Sequence, residues 1–279
     1  MAIIIRAHAK INWSLDITAL RDDGYHELNM LMQRITLADE LLFESARWLT
    51  LNVDGKIVPT GGRNLVIRAA NALNDYMGER KGAKIRLKKQ IPVRAGLGGG
   101  SADCAATLLA LNKLWGYNLP ESKLLEIGAT LGADVPYLLK GGLMHVYGIG
   151  EKMEPVTGAP VLPLVLYRTG DGLSTASVFG EYDRENTRKD AIDIIGVAKA
   201  LAARDLREYD RLSGNVLEEP AIRMMPEVAN AMNKLRSLGA AAVRMSGSGS
   251  CVFGVFESDQ AAQRAHAAFH GSILAHSME

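Results

Sequence analysis

The chain has 279 residues, 48% of them hydrophobic, with 32 Lys and Arg against 31 Asp and Glu for a formal net charge of +1 at pH 7. That length supports two domains, and the near-neutral balance excludes a whole-molecule field that would hold nucleic acid or an anionic membrane, so neither is an expected partner and any basic site is local. Charged residues break every apolar stretch well short of the ~20 residues needed to cross a bilayer, and Arg6 cuts the run Ile3 to Ile5 too early for a signal-peptide core. Cys104 and Cys251, the two cysteines, stand far apart without His or Cys neighbours, which fits a reducing, cytoplasmic setting.

In chain order, Ile3 to Ile5 and then the alternation Ile11, Trp13, Leu15, Ile17 predict two strands, the second half-buried. Arg21-Asp22-Asp23-Gly24 reads as a turn in which glycine takes the positive φ of a tight reversal, and strand-like sequence resumes from Leu31 to Phe43. Helical spacing from Asn64 to Tyr76 precedes a basic strand from Lys84 to Ile91. Ser101 is the expected N-cap of a helix to Trp115, with Cys104, Leu108, Leu111 and Trp115 on one face, and Pro120 opens another with Leu124, Ile127 and Leu131. The Gly-rich stretch 141–150 closes the first half, and Pro155, Gly158, Pro160 and Pro163 place a domain boundary near residue 150, giving domains 1–150 and 151–279. Beyond it, strands at Leu162 to Leu166, Ala242 to Met245 and Cys251 to Phe256, with helices at Ala191 to Ala203, Met225 to Leu238 and Asp259 to Phe269, make an α+β fold.

The chemical signal is Pro92-Val93-Arg94-Ala95-Gly96-Leu97-Gly98-Gly99-Gly100-Ser101-Ala102-Asp103, between a predicted strand and a predicted helix. Glycines let several backbone N–H groups converge on one anion at the positive end of a helix dipole, which describes a triphosphate cradle. A flexible surface loop is the alternative, but such linkers do not lead directly into a capped helix. No Lys follows the last glycine, as it would in a Walker A loop, and the spacing differs from the dinucleotide fingerprint. Asp103 complements the helix dipole from the first turn, or helps to hold Mg²⁺ beside the phosphates.

This loop resembles the signature of the GHMP kinase superfamily, Pro-x-x-x-Gly-Leu followed by small residues running into a helix. Ala9-Lys10-Ile11-Asn12 near the start and Met245 to Cys251 near the end stand in the superfamily's order. Narrower blocks, Arg21 to Leu28 with Gln33, Leu131-Gly132-Ala133-Asp134-Val135-Pro136, Gly148 to Glu151 and Asn215 to Glu218, are similar to the superfamily members that act on an alcohol carrying a cytidine diphosphate. Arg94 and Ala95 stand where some relatives have glycine, Ala102 replaces a frequent serine, and Trp13 a frequent leucine.

The resemblance implies a two-domain α+β kinase with its active site in the interdomain cleft, ATP and Mg²⁺ as cofactors, and a small-molecule cytidyl diphosphate substrate. It assigns Asp134 as partner of the acceptor hydroxyl, the alternative being a plain helix N-cap. Lys10 becomes the cation that keeps Asp134 ionised or contacts the transferring phosphoryl group, the alternative being a solvated strand-end lysine. Asn64, Leu65, Pro92, Ala95, Gly96, Leu97, Gly98, Gly99, Gly100, Ser101 and Ala102 border ATP. Asn12, Tyr25, His26 and Phe179 bind substrate: Tyr25 and Phe179 as ring faces, His26 at the cytosine edge. A turn-flanking aromatic, a solvent-facing imidazole and a core phenylalanine are the respective alternatives. Ser246 to Ser250 is brought against the phosphate loop, or is a hairpin turn.

His266 and His270 stand four apart without the Glu of a zinc motif and read as solvated, while His8, His145 and His276 are structural or solvated. Competing functions are another kinase of the superfamily, acting on homoserine, mevalonate or a galactose-type sugar, and a nucleotide-binding sensor without transfer. Oligomeric state is not written in any of these motifs.

Overall fold

The computed structural model describes residues 2–55, 58–158, 161–185 and 190–279, so Pro160, one marker of the expected boundary, lies outside the described residues. The first half runs β1 (Ala2–Leu20), β2 (His26–Ala46), β3 (Thr50–Asp54), α1 (Leu65–Met77), β4 (Gly82–Lys88), α2 (Gly99–Leu114), α3 (Glu121–Leu131), α4 (Val135–Lys140), β5 (Leu143–Gly148) and β6 (Lys152–Pro155). The second runs β7 (Pro163–Arg168), α5 (Thr175–Glu185), α6 (Ile194–Ala202), α7 (Leu206–Leu212), α8 (Glu218–Met224), α9 (Glu227–Ser237), β8 (Ala242–Met245), β9 (Cys251–Val255), α10 (Asp259–Ala268) and β10 (Ile273–His276).

Two compact units interleave along the chain where the sequence suggests one cut near residue 150: the first holds 1–9, 37–93 and 98–141, the second 10–36, 94–97 and 142–279. The cause is the length of β1 and β2, each of which serves both units. The predicted pair of opening strands is one strand, because no turn residue separates Ile5 from Ile11. Its expected half-burial is also corrected: Ala9 to Ile17 are buried on both faces, polar Lys10, Asn12, Ser14 and Asp16 included.

In the first unit, Glu40 to Ala46 of β2 pair antiparallel with Lys88 to Gly82 of β4, and β3 runs parallel to β4. Helix α1 starts at an N-cap, Asn64, whose side chain accepts from the Val66 N–H at 2.9 Å, and ends at Gly78 in the left-handed conformation. It packs on α2, and α2 with α3 encloses α4; Phe43, Ile85, Leu73, Leu108, Leu111 and Tyr137 are buried core.

In the second unit, Leu28 to Gln33 of β2 pair antiparallel with Gly148 to Leu143 of β5, and β6 follows on β5. A separate antiparallel sheet has the order β10-β7-β9-β8, with α9 on β8 and β9 and α10 on β7. Trp13 anchors this core edge-on to Tyr209 and Phe253, at 5.5 and 5.8 Å between centroids, and its indole N–H donates to Gln33 at 2.6 Å. Burial pushes the Tyr209 hydroxyl pKa well up, and that hydroxyl donates to the Trp13 carbonyl at 3.0 Å. Helices α5 and α7 were not expected: polar residues make up much of both, so periodicity is weak there.

Candidate active site

In the first unit, α2 begins at Gly99, two residues before the expected Ser101. Its N-cap is Gly98, in the left-handed conformation at φ 67°, so no N-cap side chain competes for the first-turn N–H groups. A Cβ at Gly99 would stand 2.8 Å from Ile91 Cγ2 and 3.1 Å from Lys89 Nζ, so only glycine lets the helix start lie this close to the strand end. Leu65 Cδ1 is 3.6 Å from where a Cβ on Gly100 would be, which brings the Asn64–Leu65 segment beside the loop's exit. Asn64 itself both caps α1 and donates to the Pro59 carbonyl at 2.7 Å. The earlier helix start moves Asp103 out of the first turn, so the first-turn dipole role does not hold for it; it is buried and bonded to Lys89 at 2.7 Å.

Asp134 occupies the N-cap position of α4 without capping it, so the plain N-cap reading fails at its one required hydrogen bond. Val135 and Pro136 are buried behind it, leaving the carboxylate half-buried at the helix start. The preceding turn meets the phosphate helix: Ser101 Oγ lies 3.7 Å from where a Cβ on Gly132 would stand.

In the second unit, residues 94–97 of the loop rest on the serine run. Ser246 Oγ donates to the Gly96 carbonyl at 3.0 Å, Cys251 N–H to the Ala95 carbonyl at 3.2 Å, and Lys10 N–H to the Leu97 carbonyl at 3.0 Å. Arg94 takes the left-handed conformation at φ 55°, where relatives with glycine avoid a cost of roughly 1–2 kcal/mol. Ser246 to Ser250 does join β8 to β9, yet it also carries the contacts that the resemblance implied. Asn215 holds it by donating to the Met245 and Gly247 carbonyls, each at 2.8 Å, and Glu218 accepts from the Met245 N–H at 2.8 Å.

Lys10 is no solvated strand-end residue. It is 4% exposed in mid-strand, and its ammonium donates to Asn12 Oδ1 at 2.7 Å. Its Nζ is 3.3 Å from where a Cβ on Gly247 would lie, so the cation faces the serine run. Lys10 belongs to the second unit and Asp134 to the first.

His26, first residue of β2, meets Phe179 of α5 at 4.9 Å between ring centroids, tilted by 45°, with Tyr182 edge-on at 6.2 Å. Its Nε2 pairs with Asp183 Oδ1 at 2.7 Å, a partner the sequence did not announce because it lies 157 residues away. Phe179 is half-buried, while its neighbour Val178 fills the core. Tyr25 is 61% exposed, its ring open to a ligand. The solvent-facing reading of His26 and the core reading of Phe179 are therefore replaced by a ring contact.

His266 hydrogen-bonds Ser272 at 2.8 Å, His145 bonds Asn29 at 2.7 Å and His276 bonds Asp259 at 2.5 Å. Among the described residues no group of three or more His, Cys, Asp or Glu is placed to hold a metal ion, and no helix is long and apolar enough to cross a membrane.

A helix start capped by glycine leaves its first-turn N–H groups open to a phosphate. The N-terminal domain pattern of the GHMP kinases matches residues 64–147 and their C-terminal pattern residues 197–272. The chain belongs to the GHMP kinase family and is an ATP-dependent small-molecule kinase. Similar curated proteins carry a more particular name. The 4-diphosphocytidyl-2-C-methyl-D-erythritol kinase of Pelotomaculum thermopropionicum is 44% identical over 257 residues, covering 91% of this chain and 89% of that one, and the Bacillus subtilis enzyme of that name is 39% identical over 273, covering 97% and 94%. A crystal structure of 4-(cytidine 5'-diphospho)-2C-methyl-D-erythritol kinase superposes with a TM-score of 0.85 at 35% identity, covering 99% of this chain and all of the other. A homoserine kinase from Cytophaga hutchinsonii, 19% identical with a TM-score of 0.72 over 99% of this chain and 94% of its own, shares the fold.

Proposed function

We propose that this kinase transfers the γ-phosphoryl group of ATP to the 2-hydroxyl of 4-diphosphocytidyl-2-C-methyl-D-erythritol, as a cytoplasmic step of isoprenoid precursor synthesis by the non-mevalonate route. The observation that carries the proposal is the seating of the Asp134 turn against the start of α2, where Ser101 and Gly132 adjoin. That contact, within one compact unit, supports reading Asp134 as the base and the start of α2 as the phosphate cradle. The nucleotide-binding part falls mainly within residues 1–150, and residues 151–279 add the serine run and Phe179.

The glycines fit ATP: the left-handed Gly98 and the close-packed Gly99 leave backbone, with no side chain, at the helix start. Mg²⁺ fits as a companion of ATP. Asp103 is bonded to Lys89, so Mg²⁺ would be held mainly through the nucleotide it accompanies. When bound, it neutralises charge on the β- and γ-phosphates. Asp134 takes the proton of the acceptor hydroxyl as the new P–O bond forms and the bond to the β-phosphate bridging oxygen breaks, releasing ADP. Lys10, oriented by Asn12, offsets negative charge at the reacting oxygens. Tyr25, His26 and Phe179 hold the cytosine by ring contact and at its edge.

The test is ADP release with Mg²⁺-ATP and the cytidyl alcohol, beside homoserine, mevalonate and galactose. Turnover confined to the cytidyl alcohol supports the assignment. Turnover only with another acceptor removes the cytidine pocket and leaves the family.

A further inference from the structure

Three ionisable side chains that the reaction does not use are buried together beneath the phosphate loop. Lys89, just past the end of β4, directs its ammonium to Asp39 Oδ2 on β2 and, at 2.7 Å, to Asp103 Oδ2 on α2. Their side chains are 4%, 0% and 5% exposed respectively. Asp39 does more than pair: its Oδ1 accepts from the Gln90 N–H at 2.5 Å and the Ile91 N–H at 2.8 Å, the two residues that lead into Pro92. Asp103 is the fifth residue of α2, one residue past the glycine and serine run. The cluster therefore fastens the last residues before the loop and the second turn of α2 after it to one strand residue. All three residues lie in the first unit.

Removing charges from water is costly, and a buried ion cluster is at best near break-even for stability against an apolar replacement. Stability alone is thus a poor reason for this arrangement. Geometry supplies a better one. A phosphate cradle acts only if its N–H groups are already aimed, because a displacement of ~1 Å costs up to about a hundredfold in such sites. Gly99, with Lys89 Nζ and Ile91 against it, sits directly on the fastening.

We propose that Asp39, Lys89 and Asp103 are positioning residues that set the spacing between the two ends of the phosphate loop and so the affinity for the triphosphate. The proposal rests on the kinase reading above, and the wild-type assay separates the two: protein that neither binds nor turns over Mg²⁺-ATP sinks that reading before any variant is compared. Given active wild type, Asp103→Leu removes one end of the fastening. It should raise the KM for ATP about tenfold or more while the KM for the alcohol acceptor changes less than about twofold. Asp103→Asn, which keeps an oxygen acceptor for Lys89, should restore most of that loss. If Asp103→Leu does not fold, Asp39→Asn carries the test, since it keeps an acceptor for the two backbone N–H groups but weakens the hold on Lys89. A rise of about threefold or more in the ATP KM alone is then expected. A lowered thermal midpoint with both KM values unchanged, in whichever variant folds, would make the cluster a stability element and overturn the proposal.

Discussion

The carbonyl oxygen of Ser246 occupies the space that a Cβ on Gly96 would need, and Gly96 holds φ at 73°. Both facts demand glycine at this point of the loop. Gly96→Ala should push residues 94–97 off the serine run and raise the KM for ATP about tenfold or more. Gly239, at φ 90° with nothing within 4 Å of where its Cβ would stand, is the control. Gly239→Ala pays only the backbone strain, ~1–2 kcal/mol, in melting midpoint, and its ATP kinetics stay as in wild type.

Asp134 stands at the head of α4 without a capping bond. Asp134→Asn should keep the affinity for Mg²⁺-ATP while turnover falls by about a hundredfold or more, the usual weight of a general base. Single-turnover phosphoryl transfer measured with saturating ATP checks it; unchanged turnover removes Asp134 from the chemistry.

The aromatic contact between His26 and Phe179 should serve the acceptor and leave ATP untouched. Base stacking on an aromatic ring is worth about 1–3 kcal/mol. Tyr25→Ala and Phe179→Ala should each raise the KM for the cytidyl alcohol about tenfold. Equilibrium binding of CDP provides a second readout. Val178, fully buried beside Phe179, predicts the opposite behaviour, a stability loss without an affinity change.

Burial raises the Asp103 carboxyl from its ordinary 3.8 to about 8, against the attraction of Lys89 and with Asp39 adding repulsion. Its Oδ1 is buried without a hydrogen-bond partner among the described residues, which adds to the pressure toward the neutral carboxyl. A folded-state value above the unfolded one means that this group's contribution is fully present below about pH 4 and is lost as pH climbs through about 8. Between those limits, wild type should lose stability relative to Asp103→Asn as pH rises. Urea midpoints of both proteins at several pH values measure the difference. Parallel curves would show that Asp103 is ionised throughout.

Some of this was plain in the residues. Ala242 to Met245 is a strand with the limits that its pattern suggested, Asn64 and Pro120 stand at helix starts, and the glycine run leads from the strand end into the helix. These are local matters, set by side-chain period, capping chemistry and the φ range open to glycine. Ser101 misled as an N-cap because a left-handed glycine does that work in its place, which a rank of capping residues does not foresee.

The sequence by itself determined the class of chemistry, since a glycine-rich strand-to-helix turn has few other uses and the ordered motifs run nearly the length of the chain. Only the tertiary structure decided which charges are buried and with whom. Asp39 and Lys89 stand 50 positions apart, and Asp183 meets His26 across 157. A buried ion declares itself through its partner, and partners brought together by strand pairing leave no trace in local periodicity.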